Sequence, residues 1–227
     1  MPAALAVAVA IAGCGGDDGG GEERPAAPRS AEAEEATLDR LGEEVEQNGC
    51  KDPRAVWHSA AGPVDRKTCR RAFRLFEGFA IGDLRPYGPA AAVGFGRSGF
   101  TTVGLVLDRD RRYRVVAVTT KLKARPTAAT DRLAARAVAA VADVDCKLLA
   151  SLATDTGGST DPCDLKPVVA FGRALERADE PPTPRRLGGE GGMAFYEVLI
   201  EPDRFYVVVL VEDNAGRLAF ANAYPAG

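Results

Sequence analysis

The chain has 227 residues, 46% of them hydrophobic and 27% charged, with a formal net charge of −3 at pH 7. That length and apolar content suffice for a buried core in one or two domains. The charge balance argues against bulk affinity for nucleic acid, and the composition argues against a chain-wide disordered or membrane class.

Residues Ala3 to Ile11 form an uncharged apolar run, too short to cross a bilayer. The run ends in Ile11-Ala12-Gly13-Cys14, which resembles the bacterial lipobox. On that resemblance residues 1–13 are a lipoprotein signal peptide and Cys14 is the lipidation site. Its thiol takes a diacylglyceryl group, and the small residues at 12 and 13 fit the signal peptidase. Two acyl chains give stable anchoring where one gives only marginal binding. No Lys or Arg precedes the apolar run, whereas a signal peptide carries a basic n-region, so the expected true start lies upstream. Residues 14–36 follow as a Gly- and Glu-rich segment with almost no large apolar side chain. Such a segment cannot offset its ordering entropy by burial, and the expectation is a disordered acidic tether.

Residues 37–125 and 130–227 read as one α+β unit written twice. Thr37-Leu38-Asp39-Arg40-Leu41 opens a helical pattern, with Leu38, Leu41 and Val45 on one face, and Thr130-Asp131-Arg132-Leu133 opens another. Each half then has two cysteines, Cys50 and Cys69 in the first, Cys146 and Cys163 in the second. Each closes on a hairpin: Phe100–Asp108 with Tyr113–Thr120, and Arg204–Glu212 with Arg217–Tyr224 around Asp213-Asn214-Ala215-Gly216. A further strand, Met193–Ile200, precedes the second pair.

With Cys14 lipidated, four cysteines remain in an oxidising compartment, where thiols normally pair. Of three connectivities the repeat favours Cys50–Cys69 and Cys146–Cys163, each loop being worth roughly 3 kcal/mol on the chain-entropy model. A zinc site is the alternative, and it lacks both a Cys-x-x-Cys spacing and more than one histidine.

The sequence Asp143-Val144-Asp145-Cys146-Lys147-Leu148-Leu149 reads as a helix, Asp164–Arg177 as another, and Phe205 to Arg217 as a terminal strand and turn. This order of helix, cysteine and strand resembles the nuclear transport factor 2-like, cystatin-like α+β cone of bacterial exported proteins. The resemblance covers residues 130–227, and 37–125 more loosely. It implies two tandem cone-shaped domains, each with N-terminal helices packed on a curved, mainly antiparallel sheet around a pocket. That family hosts enzymes, ligand binders and structural adaptors, so the fold leaves function open.

Gly94-Phe95-Gly96-Arg97-Ser98-Gly99 fits Gly-x-Gly-x-x-Gly, but a strand-like rather than helical segment follows. A dinucleotide turn must open a helix, so a bend between strands is expected and no cofactor. Gly188-Gly189-Glu190-Gly191-Gly192 reads as a loop. His58, the single histidine, stands beside Trp57, the single tryptophan. A general base is one role for it, but no acid sits at a diagnostic spacing, and a structural or surface role is expected. Asp83, Asp108 and Glu197 are candidate pocket carboxylates, with solvated strand-end positions as the plainer expectation. No Ser-His-Asp or Cys-His nucleophile system can be assembled, and no catalytic or metal-binding residue is assigned.

Charge is unevenly spread: residues 37–125 carry +7 and residues 130–227 carry −5. Arg66, Arg70 and Arg74 recur every four residues, and Arg111 and Arg112 lie with Arg109 and Arg114 at the first hairpin turn. These arginines are a solvated face, a contact for anionic lipid or wall polymer, or the docking surface for the acidic half. The last is preferred, because Phe205–Val211 is apolar on both faces and needs cover on both. The expected function is a non-enzymatic ligand- or partner-binding or adaptor role. The protein would be exported and anchored through Cys14 to the outer face of the cytoplasmic membrane or envelope, with no nucleic acid and a protein partner unspecified. An isomerase, dehydratase or hydrolase of the same fold is the alternative. Convergent His and carboxylate groups in a pocket would favour the enzyme, and an interior filled by Phe and Leu the adaptor.

Overall fold

The computed structural model describes residues 51–53, 56–61, 66–67, 69, 81–88, 90–96, 101–110, 112–153, 161–178, 182–201 and 204–226. The signal-peptide and tether segments, the helix expected at Thr37, and Cys14, Cys50, Arg70, Arg74 and Arg111 lie outside them. The fold is α+β. Strands β1 (Ile81–Tyr87), β2 (Ala91–Gly96), β3 (Thr102–Leu107) and β4 (Tyr113–Thr119) form one antiparallel sheet in sequential order. Helices α1 (Ala128–Ala142), α2 (Cys146–Leu152) and α3 (Lys166–Leu175) follow. Strands β5 (Arg185–Gly188), β6 (Met193–Glu201), β7 (Arg204–Glu212) and β8 (Leu218–Ala226) then form a second sheet of the same order. Among the described residues no helix is long and apolar enough to cross a membrane.

Strand β7 organises the molecule. Successive side chains of a strand point to opposite faces, and Tyr206, Val207, Val208, Val209 and Leu210 are all buried. Tyr206, Val208 and Leu210 pack with Val138, Leu149, Phe171 and Leu175 of the helices. Val207 and Val209 pack with Val93, Val103, Leu105 and Val115 of the first sheet. The second sheet is therefore the middle layer, with helices on one face and the first sheet on the other. This is the two-sided cover that the apolar run demands. The seam between the sheets is apolar, formed by Met193, Phe195, Val207, Val209 and Tyr224 against the first sheet.

Helix α1 starts in a capping box: the Thr127 hydroxyl accepts from the Ala129 N–H at 3.2 Å, and the Thr130 hydroxyl accepts from the Thr127 N–H at 2.7 Å. Ala134, Ala137, Val138 and Val141 give it one buried face at helical spacing. It ends before Val144, which takes φ 55°, and the Asp145 N–H closes back onto the Ala140 carbonyl at 2.8 Å. That is the left-handed helix stop usually occupied by Gly, so the expected continuous helix through Asp143–Leu149 is broken at 143–145. Asp145 then caps α2 through the Leu148 N–H, 2.9 Å away. Cys146 at the start of α2 is bonded to Cys163 with Cα atoms 5.5 Å apart. Cys163 lies in a short 3-10 turn, Pro162–Asp164, and α3 begins only at Lys166, with a proline in its first turn. Cys69 is helical, fully buried and disulfide-bonded.

The two sheets share one irregularity. Between β3 and β4, Gly104 pairs with Ala117 and Leu105 with Val115, so one residue of β4 is bulged out. Between β7 and β8, Val209 pairs with Asn222 and Leu210 with Phe220, the same bulge with every residue 105 positions later. Val115 carries an isolated parallel bridge to Trp57, and its counterpart Phe220 carries one to Ala153.

Three strands depart from the sequence reading. Gly94, Phe95 and Gly96 are the end of β2, not a bend. Strands β1 and β5 form the outer edges next to β2 and β6. The end of β5 and the loop after it pack on the first sheet. A Cβ on Gly188 (φ 155°) would lie 2.3 Å from Cδ1 of Tyr87, and one on Gly192 (φ 77°) 1.9 Å from the Lys121 carbonyl oxygen. Beside it, the Tyr87 hydroxyl and an Arg85 Nη1 each donate to Glu190 at 2.7 Å. The connection between the halves is fixed as well: buried Glu212 accepts from the N–H groups of Lys123 and Ala124 at 2.9 and 2.7 Å.

Candidate functional site

Two residues singled out from sequence, His58 and Asp108, meet in the structure, and both are buried. The Val56 carbonyl accepts from the Val115 N–H at 3.0 Å, and the His58 N–H donates to the Val115 carbonyl at 3.1 Å, so residues 56–58 lie along the open edge of β4. Asp108 directly follows β3, and its N–H donates to the Arg112 carbonyl at 2.9 Å to close the hairpin turn. Its carboxylate accepts from the Ser59 N–H, the Ser59 hydroxyl and the Arg109 N–H, each at 2.7 Å. The His58 ring lies 5.0 Å, centroid to centroid, from the Tyr224 ring of β8. One site thus joins the crossing segment, the first sheet and the last strand of the second.

The hydrogen bonds fix the protonation states. His58 Nδ1 accepts the Ala60 N–H at 3.2 Å, so the neutral ring carries its proton on Nε2. Nε2 is 3.9 Å from Asp108 Oδ1, beyond hydrogen-bond reach, and among the described residues no group forms a hydrogen bond with it in good geometry. Burial lowers the pKa of His58; the Asp108 charge and the carbonyls of Pro225 and Leu107 oppose that without overcoming it. For Asp108 burial acts upward, but the bonds from Ser59, the nearby His58 and the Arg109 N–H outweigh it and hold the carboxyl low. Burial also raises the Tyr224 hydroxyl, which donates to the Val116 carbonyl at 3.3 Å.

Ser, His and Asp are the residue types of a nucleophilic triad, but the connectivity differs. There the serine is hydrogen-bonded to the histidine, and the aspartate to the other ring nitrogen. Here the Ser59 hydroxyl is bonded to Asp108, and Nδ1 is occupied by the backbone of Ala60. The arrangement clamps a segment; it does not present a nucleophile.

The other candidates are dispersed. Asp83 lies on β1, in register with Phe95. Glu197, on β6, accepts from Nε of Arg185 at 2.9 Å. Cys146 and Cys163 are joined to each other, so the zinc reading of that pair is displaced, although Asp161 lies close by. Arg66 is exposed on a helical segment, and Arg112 is exposed at the hairpin turn, where its N–H donates to Asp110 Oδ1 at 3.1 Å. Arg114 is mostly buried and paired to Asp110 at 2.6 Å, so that member of the basic turn is neutralised internally.

Sequence reasoning missed a second cluster on the helical side. The Tyr196 hydroxyl lies 3.0 Å from both Thr130 Oγ1 and Asp131 Oδ1, and Arg186 Nε donates to Asp131 Oδ1 at 2.7 Å. Asp131 is held low chiefly by Arg186. The sequence signal was the Thr130-Asp131 pair in the first turn of α1, opposite an aromatic strand. No family model matches the chain, and neither does any curated protein or solved structure.

Proposed function

We propose that this protein is an exported lipoprotein, anchored through Cys14, whose folded part is a non-enzymatic binding or adaptor module of the cell envelope. In this reading residues 37–125 and 130–227 are tandem cone-like units, docked through their sheets. Shared strand order, the bulge repeated 105 positions on, and the equivalent bridges at Val115 and Phe220 support the repeat. The Cys146–Cys163 bond supports an oxidising compartment.

The observation that carries the adaptor reading is the filling of the second unit. Leu149, Phe171, Tyr196, Leu210 and Phe220, each at most 1% exposed, occupy the space between helices and sheet where a cone-type binder keeps its pocket. The Tyr206 hydroxyl there donates to the Ala170 carbonyl at 3.3 Å. The second sheet's other face is taken by the first sheet, which leaves the outer surfaces and tether for partners.

The test is detergent-phase partitioning and intact mass of protein expressed in a bacterium, from a start that restores a basic segment before Ala3. The parent should enter the detergent phase with a diacylglyceryl mass on an N-terminal Cys14, and Cys14→Ser should not. Equal partitioning of the two would contradict the anchoring. Enrichment of a small-molecule ligand in the native mass spectrum of the folded part would contradict the filled interior.

A further inference from the structure

We propose that His58 is a proton-operated latch, which holds residues 56–61 against the edge of β4 while neutral and releases them when protonated. Nδ1 is a hydrogen-bond acceptor for the Ala60 N–H, 3.2 Å away. A protonated ring has a proton on both nitrogens and accepts nothing. Protonation therefore sets two donors against each other and breaks that bond. The same proton adds a charge to a ring that is 1% exposed and packed on Tyr224. Among the described residues the anion facing it is Asp108, 3.9 Å from Nε2.

Asp108 is not free to neutralise that charge at no cost. Its two oxygens already take both donors of Ser59 and the Arg109 N–H. Turning toward Nε2 means giving up Ser59, the residue that ties the segment down. Among the described residues the other groups around the ring are Arg109, whose charge opposes protonation, and Tyr224, which stays neutral because burial raises its hydroxyl. The carbonyls of Pro225 and Leu107 favour the proton and set a limit on how far acid is needed.

Release has a defined structural consequence. The Val56 and His58 bonds to Val115 lie on the far side of β4 from β3. When they open, the Val115 N–H and carbonyl are exposed on an edge strand, which is the geometry that accepts an added strand. The sign follows from the direction of the shift. The fold favours neutral His58, so latch stability is complete above the ordinary histidine value of about 6.5 and is lost as pH falls below it.

The chain has one histidine and one tryptophan, so each is its own reporter. The full chain is titrated from pH 8 to 4.5, with the His58 ring followed by NMR, Trp57 by fluorescence and the sheets by far-UV circular dichroism. The expected result is a His58 midpoint below about 6.5, a reversible Trp57 shift with that same midpoint, and an unchanged far-UV signal. His58→Gln should lose the Trp57 transition. A constant Trp57 signal through the His58 titration would overturn the proposal. So would the same shift in His58→Gln, or a shift that coincides with loss of the far-UV signal. Should His58→Gln not fold, coincidence of the two wild-type midpoints decides alone.

Discussion

Gly104 of β3 sits directly against Met193 of β6. A Cβ built on Gly104 would lie 2.8 Å from the Met193 sulfur and 3.3 Å from Cζ of Phe195. The two sheets are in contact there, and a side chain at this position would have to displace the Met193 sulfur. Gly104 also borders the bulge that the two sheets share. Gly104→Val should therefore overpack the seam and cost about 1–3 kcal/mol. The comparison is the urea midpoint of variant and parent at equal slope. An unchanged midpoint would mean that the sheets do not meet at this position.

Asp108 holds Ser59 with bonds that an amide cannot reproduce, since Asn offers one acceptor oxygen where the carboxylate offers two. Asp108→Asn should cost about 1.5–3 kcal/mol at pH 7, the range for bonds to a charged group. The fold lowers the pKa of Asp108, so its contribution is present above the ordinary carboxylate value of about 3.9 and is lost as pH falls through the lower folded value. The gap between parent and variant should be wide at pH 7 and close in strong acid. A gap independent of pH would show that Asp108 acts by shape alone.

The Cys146–Cys163 bond closes a loop of sequence separation 17. On the chain-entropy model, replacing both residues by Ala should cost roughly 3 kcal/mol. The loss should appear in chemical denaturation, and non-reducing peptide mapping should recover the Cys146–Cys163 peptide from the parent. Free thiols at these positions in exported protein would contradict both the bond and the compartment.

The more apolar a segment and the clearer its turn, the more of it was legible in the sequence. The bounds of β7 follow from an apolar run ended by Asp213-Asn214-Ala215-Gly216, where Gly216 takes φ 75°. The Cys146–Cys163 pair was legible from spacing and compartment. Strand β2 was not, because Ala91-Ala92-Val93-Gly94-Phe95-Gly96 has little β propensity. Its small side chains suit the packed layer beneath, which is tertiary information. Strand β1 was hidden by Pro86, tolerated because β1 is an edge. Strand β5 has four residues, too few to show a period. At the candidate site the residue types were visible and their meeting was not. Ser59 and Asp108 are 49 positions apart, and the pairing of residues 56–58 along the edge of β4 brings them together. Val144 misled in the opposite sense: nothing local marks a β-branched residue as the left-handed stop of a helix.

The two sheets pack face to face within one chain, through apolar contacts. Met193 is one of two methionines, and the other is Met1. Its methyl group can be labelled and its through-space proton contacts read directly. Cross-peaks from the Met193 methyl to Gly104 are expected at low salt and equally at about 1 M salt, because apolar packing is not screened as charge attraction is. Cross-peaks confined to residues of β5 to β8, or contacts to Gly104 that vanish as salt rises, would contradict it.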